Sequence, residues 1–210
     1  MSRQEVRTQR VITEDIQTST GGVPTLGGTQ LTATVAELNA AADRSATVGT
    51  MTASTVMAAL LGAYNVTTFR TGNIIKTTMY IDLTGAKTTT TDLDVIGNTG
   101  ACHIGQVTAA VNGAIFAGQV SCAEVPTTGA DDIDLYSSTA ATGAYDAAAN
   151  GLAGAAAIMT SGAAHAIGTV KPFTILPAAN SYLYLANGEA GTVGTYDAGI
   201  LVIEMWGLAA

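Results

Sequence analysis

The stretch that most constrains the fold of this chain is an apolar run close to its C-terminal end, Gly199-Ile-Leu-Val-Ile-Glu-Met-Trp-Gly207. Large side chains, several of them β-branched, surround a single carboxylate. A run this continuous is typical of a strand with both faces covered. We therefore predict a central strand of a β core over residues 198–206. We also predict that Trp206 is largely buried on the face that it shares with Ile200 and Val202.

The rest of the chain after Asn73 has a period of two, with turn residues between successive runs. Short alternating runs without long helices between them are typical of antiparallel β-structure. The pattern predicts a mainly β chain, with an antiparallel β-sandwich or jelly roll over residues 71–210. Besides 198–206, the predicted strands are 74–83, 90–96, 102–111, 114–123, 133–137, 156–160, 169–176 and 181–185.

Residues 1–70 form a second predicted part, an N-terminal arm with short helices. Residues 1–30 are polar and Gly-rich without a sustained period, so we expect an extended arm. Thr34 and Glu37 have the spacing of a capping box, which predicts a helix near 35–43. A second short helix is predicted over 51–61. Three arginines within the first ten residues could pair with an acidic neighbour or be solvated.

Charge is scarce and unevenly placed. Residues 88–210 contain one basic residue, Lys171, and ten acidic ones, whereas residues 1–87 contain seven basic and six acidic residues. Binding of nucleic acid needs a basic surface, so we expect no nucleic-acid partner. Polar residues interrupt the longest uncharged stretch, 147–170, and the first ten residues lack the apolar segment of a signal peptide. We therefore expect no membrane partner and synthesis in the cytoplasm.

The clearest local prediction is a β-hairpin with a type I′ turn at Asn112-Gly113. Centring the turn there pairs Val111 with Ala114 and places His103 opposite Cys122. Cys102 and Cys122 then lie on opposite faces, which disfavours a disulfide between them. We therefore predict two free thiols.

Two groups of residues are candidates for catalytic or metal sites. The first is His103 opposite Cys122, which lacks the further ligands of a metal site and the orienting carboxylate of a catalytic one. The only other histidine, His165, lies in an Ala/Gly segment. We therefore expect His103 to be an ordinary hydrogen-bonded histidine. The acidic cluster of Asp131, Asp132 and Asp134 offers the oxygen ligands that Ca²⁺ prefers. It lacks EF-hand spacing, so we expect it to end a loop before a strand at Ile133. Binding of a cation there stays open.

Two other features are candidates for binding groups. Glu204 interrupts the apolar run and would be costly to bury without a partner. We expect it at a subunit contact or on a locally exposed face, with Lys76, Arg70 and Lys171 as possible partners. Tyr182 and Tyr184 alternate with leucines, so one face of their strand is aromatic. We expect them to pack within the sheet, and sugar stacking is the alternative.

Motifs of known enzyme classes are absent from the sequence. It contains no GxSxG, P-loop, dinucleotide-binding fingerprint or paired-carboxylate motif. We therefore expect no enzymatic activity, no catalytic residues, no cofactor and no bound metal.

One phrase of the sequence resembles a segment of known proteins. Leu31-Thr-Ala-Thr-Val-Ala-Glu-Leu-Asn39 resembles the LTATxAELN segment common near the N-termini of tailed-bacteriophage virion proteins. Two later segments, 77–85 and 188–196, resemble parts of small phage structural proteins, including proteins thought to decorate heads. The resemblance covers most of the chain from Leu31 onward.

The resemblance implies a structural virion protein. The expected function is decoration and stabilisation of a phage capsid by contacts that bridge subunits, with the major capsid protein as the partner and the capsid surface as the location. Decoration proteins are often trimers, so the resemblance implies a homotrimer. The alternative is a tail or fibre protein that binds glycans of the host surface.

Overall fold

The computed structural model describes residues 25–26, 29–30, 51–60 and 65–209. The chain divides into two compact units, residues 1–43 and 44–210. In the first unit, the described residues form one antiparallel pair, β1 (Thr25–Leu26) with β2 (Thr29–Gln30). The predicted helix near 35–43 and most of the predicted arm lie outside the described residues.

The second unit is mainly β, as the sequence pattern predicts. No helix in the described part of the chain has the length and apolar character to span a membrane. Among the residues that the structure describes in this unit, the helical segments are short: α1 (Thr55–Leu60), α2 (Ala109–Asn112) and a single 3-10 turn (Ala149–Gly151). The strands are β3 (Asn65–Thr71), β4 (Ile74–Asp82), β5 (Lys87–Thr88), β6 (Gly105–Gln106), β7 (Ala114–Thr127), β8 (Ile133–Ser138), β9 (Ala156–Met159), β10 (Val170–Pro172), β11 (Tyr182–Asn187), β12 (Gly194–Thr195) and β13 (Ala198–Leu208).

Two antiparallel sheets form the body of this unit. One has five strands in the order β10-β7-β13-β4-β3, and the other has four in the order β6-β11-β8-β9. A third, small pair joins β12 to β5. The C-terminal strand β13 lies between β4 and β7 and pairs with both along most of its length. The prediction of a central strand at the C-terminal end is therefore confirmed.

The two faces of β13 differ, which corrects one prediction. Leu201, Ile203 and Met205 are completely buried, whereas Val202 and Trp206 are only partly buried. The second sheet covers one face of the five-stranded sheet, so alternate residues of β13 reach the core and the others do not. The prediction that both faces of this strand are covered is therefore wrong, and Trp206 lies on the outer face, where it is partly and not fully buried.

The hydrophobic core lies between the two main sheets. Met79 and Ile203 from the five-stranded sheet belong to the same buried cluster as Leu135 and Leu183 from the four-stranded sheet. Two antiparallel sheets with a shared core are the arrangement of a β-sandwich. The four-stranded sheet is covered on its other face as well, because Tyr184 is buried there.

The predicted strands agree with the structure except in a few places. Only isolated bridges form within 90–96, and the strand predicted over 169–176 is limited to β10. The strand predicted over 102–111 is wrong except for β6, because α2 begins at Ala109. Strand β3 was not predicted, and it starts before the expected boundary at residue 71. A two-residue turn joins β3 to β4, and positive φ occurs at Gly72 but not at Asn73. This is the backbone pattern of a type II′ hairpin.

The predicted hairpin at Asn112-Gly113 does not form. The Thr108 hydroxyl accepts a hydrogen bond from the backbone N–H of Val111 at 3.2 Å and caps the single turn of α2. Asn112 ends this turn, and its side chain accepts a bond from the Thr108 N–H and donates to the Thr77 hydroxyl. Strand β7 then pairs with β13 and β10 instead of residues 102–111. A local cap and a distant partner therefore override the turn propensity of Asn-Gly.

Replacement of Asn112 by glycine tests this correction. A type I′ hairpin tolerates glycine at that position, whereas here Asn112→Gly leaves the Thr108 N–H and the buried Thr77 hydroxyl without their partner. We expect a loss of about 1–3 kcal/mol in the free energy of unfolding, measured with urea. Asn73→Gly, in the exposed turn between β3 and β4, is the matched control and should change stability by less than about 0.5 kcal/mol. Equal stability of the two variants would contradict the observed turn.

Candidate functional site

The outer face of the five-stranded sheet, which points away from the core, is the main candidate for a binding surface. Directly paired residues of antiparallel strands project from the same side of a sheet, so the register defines rows of side chains across this face. Four such rows carry the large exposed side chains. They are Thr71-Ile74-Leu208-Ala114, Phe69-Lys76-Trp206-Ala117, Thr67-Thr78-Glu204-Gln119-Pro172 and Tyr80-Val202-Ser121-Val170.

Three of the four rows are mainly apolar. Ile74 and Leu208, which are neighbours in the first row, are 45% and 50% exposed. Phe69 in the second row and Tyr80 in the fourth are exposed to a similar degree. The side chains of the first two rows are adjacent and form a continuous apolar patch, and the polar third row separates this patch from Tyr80. Apolar patches on soluble proteins mark contacts with other molecules.

The third row is polar and contains Glu204. Lys76 Nζ lies 2.5 Å from Glu204 Oε1, and the Gln119 amide donates a hydrogen bond of 2.7 Å to Oε2. The bond from Lys76 holds the pKa of Glu204 below its usual value, against the opposing effect of partial burial. The expectation that Glu204 lies on a locally exposed face with Lys76 as partner is confirmed. Lys76 Nζ also lies 5.5 Å from the Trp206 ring centroid, in cation–π range.

A cleft of about 500 Å³ beside His103 is the second candidate. Hydroxyl, amide and phenol groups of Ser54, Gln106 and Tyr182 are among its walls. The His103 ring is half-buried, its centroid is 4.8 Å from that of Tyr182, and its buried Nδ1 has no hydrogen-bond partner. Burial lowers the pKa of His103, which favours the neutral imidazole. The expectation that His103 is fully hydrogen-bonded is therefore wrong, and Tyr182 faces this cleft.

The two cysteines are free and buried, as predicted. The geometry given for that prediction is wrong, because residues 102–111 do not pair with β7. The Cys102 thiol donates to the Asn98 carbonyl at 3.0 Å, and the Cys122 thiol donates to the Glu124 carbonyl at 3.3 Å. Burial raises the pKa of both thiols. Neither cysteine therefore has the lowered pKa of a reactive thiolate.

The acidic cluster lies at the start of β8. Asp132 ends the loop before Ile133, as expected, and it is buried together with Asp134. The Ser161 N–H donates to Asp134 Oδ1 at 2.6 Å. Burial raises the pKa of Asp134 to about 6, and the negative charges of Asp132 and Asp92 add to the effect.

His165 contacts this same cluster, which sequence reasoning missed because it is some thirty residues away in an Ala/Gly segment. Its ring Nε2 lies 2.9 Å from the Ile133 carbonyl oxygen, and its backbone N–H donates to the Asp131 carbonyl. Its Nδ1 and the Asp132 Oδ1 are buried without hydrogen-bond partners. Within residues 51–60 and 65–209, however, no three His, Cys, Asp or Glu side chains are arranged to hold a metal ion.

Asp134 gives the fold a pH dependence that Asp134→Asn tests. A pKa raised to about 6 means that the folded protein binds a proton more tightly than the unfolded chain between about pH 4 and 6. The contribution of this group to stability is therefore present at low pH and is lost as the pH rises through that window. The amide of the variant cannot ionise and keeps the acceptor for Ser161, so we expect the variant to be more stable at pH 8 by roughly 2 kcal/mol.

Urea unfolding at pH 4, 6 and 8 measures this effect. Asp146→Asn is the control, because Asp146 is exposed and has a positive φ that asparagine adopts readily. The control should follow the pH profile of the parent. If Asp134→Asn follows that profile too, Asp134 is ionised without penalty and the assignment is wrong.

Comparison with known proteins adds no relative to these observations. No family model, no curated protein and no solved structure matches this chain. Its function is therefore inferred from the sequence resemblance and from the surfaces described above.

Proposed function

We propose that this chain is a structural protein of a tailed-bacteriophage particle, which decorates the capsid and stabilises it by contacts that bridge subunits of the major capsid protein. The resemblance of residues 31–39 to virion proteins supports the assignment of this chain to a phage particle. The observation that carries a contact function is the outer face, where Phe69, Ile74 and Leu208 are about half exposed on adjacent strands. In this proposal the protein is made in the host cytoplasm and acts as a homotrimer.

The proposed mechanism is stabilisation by contact, without catalysis. Each square ångström of apolar surface that is removed from water contributes about 25 cal/mol to the free energy of binding. Burial of the half-exposed aromatic and leucine side chains therefore stabilises a contact with another subunit. The β-sandwich of the second unit holds these side chains in fixed rows, so little side-chain and backbone entropy is lost when they bind. We propose that the N-terminal arm, with Arg3, Arg7 and Arg10, reaches acidic groups on neighbouring shell subunits.

A second candidate function is glycan binding by a tail or fibre protein. The cleft beside His103 supports it, because hydroxyl, amide and phenol groups line the same concave space. Groups of this kind bind sugar hydroxyls, and an aromatic ring can pack against a sugar face. The two candidates place the protein at different points of the particle.

Immunogold labelling of purified particles with antibody against this chain tests the proposal. We expect gold over the head, in repeated positions, and we expect heads that carry the protein to resist heating better than heads from which it is absent. A matched particle preparation without the protein is the control for antibody specificity. Label confined to the tail would favour the glycan-binding candidate, and particles without label would contradict both.

A further inference from the structure

We propose that the outer face of the five-stranded sheet is covered by a second copy of this chain. The inference rests on the proposed function and divides its contacts: it assigns the outer face to the contact between copies and leaves the contact with the shell to the N-terminal arm. The proposed contact surface consists of the four rows that contain Ile74, Phe69, Glu204 and Tyr80. Unlike the capsid contact, the contact between copies can be measured without the particle.

The size of the face suits an association of copies. Strands in a sheet lie about 4.8 Å apart and rise about 3.3 Å per residue. The four rows contain seventeen residues, and each takes about 4.8 Å by 6.6 Å of one face, so the rows present roughly 540 Å². A contact that covers these rows with an equal area of a second copy buries roughly 1,100 Å² in total, which exceeds the roughly 1,000 Å² that a specific, well-packed interface needs. In a cyclic trimer the surface that the second copy contributes is a different one, so this contact is compatible with the proposed homotrimer. The face is thus large enough to hold two copies together, provided that its side chains pack well.

The charge of the described unit favours a second copy over another occupant. Residues 51–209 contain four basic and eleven acidic residues, a net charge of −7. Two such units repel each other over most of their surface. In the four rows, however, the only charged residues are Lys76 and Glu204, and they neutralise each other at 2.5 Å. The other acidic residues of this face, Asp82 and Glu124, pair with Ile200 in the next row, beyond the edge of the four. A basic partner would gain more elsewhere on the acidic surface, so the four neutral rows suit a partner of the same charge.

The polar row can be buried in a contact without loss of its hydrogen bonds. Glu204 already has two partners, Lys76 and Gln119, within its own chain. A carboxylate that keeps its hydrogen bonds costs less to remove from water than an unpaired one. The apolar rows on either side supply the favourable burial, and exclusion of water strengthens the contact between Lys76 and Trp206. The arrangement is that of an interface with an apolar majority and a small, satisfied polar centre.

Light scattering and sedimentation equilibrium of the full chain test the inference. We expect a mass of two or more copies at micromolar concentration. Ile74→Lys and Leu208→Lys each put a new charge into the four neutral rows and should raise the dissociation constant of the association at least tenfold. Val193→Lys and Ile175→Lys are matched controls, because both side chains are more than half exposed and lie outside the four rows. The controls should stay within about twofold of the parent.

Fluorescence of Trp206, the only tryptophan, gives a second measurement on the unaltered chain. Trp206 is partly buried within one copy, so acrylamide should quench it in dilute protein and quench it less as association proceeds. Circular dichroism of the lysine variants checks that they keep the β-structure, so that loss of mass is not loss of fold.

Each outcome has a defined meaning. A parent chain that stays monomeric, or association that the face variants leave unchanged, overturns the inference. If the chain is monomeric and the same variants abolish binding to particles, the shell protein covers the face and only the proposed function survives. If copies associate through this face but particles carry no label, the inference holds and the proposed function fails.

Discussion

The pairing of β13 on both sides is the interaction on which the rest of this structure depends. Its backbone is bonded to β4 and β7, so it fixes the register of the five-stranded sheet from its centre. Alternate side chains then separate into two populations. Leu201, Ile203 and Met205 complete the core, while Val202, Glu204 and Trp206 stand on the outer face. The core and the proposed contact surface are therefore two sides of one strand.

Buried polar groups in and beside the four-stranded sheet restrict the fold in a different way. Asp134, His165 and the Tyr184 hydroxyl are buried, and each is held by a backbone group from another segment. Such bonds tie the long loops to strands β8 and β11, because an unpaired buried polar group is expensive. Burial raises the pKa of Asp134 against the opposing effect of the bond from Ser161, and this is a cost that the fold carries at neutral pH. Apolar burial in the sandwich offsets this cost.

The sequence predicts the strands well and their partners poorly, for physical reasons. The density of β-branched residues identifies β13, but apolar residues on both faces conceal that only one face is covered. The Asn112-Gly113 signal is local, whereas the bond from Asn112 to Thr77 joins residues 35 positions apart. The Gly72-Asn73 turn carries a usable hairpin signal that the strand prediction missed. The approach of His165 to the acidic cluster depends on loop packing and leaves no signal in the sequence.

The alternation of β13 is tested most directly by alanine replacement at each position from Leu201 to Met205, omitting Glu204. Stability is measured by urea unfolding at a concentration where light scattering shows a monomer. We expect a period of two in the free energy of unfolding, with losses of about 2–5 kcal/mol at Leu201, Ile203 and Met205 and about 1 kcal/mol or less at Val202. Equal losses at all four positions would show a strand covered on both faces, and no losses would show a peripheral one. Either result would contradict the division of β13 into a core face and an outer face.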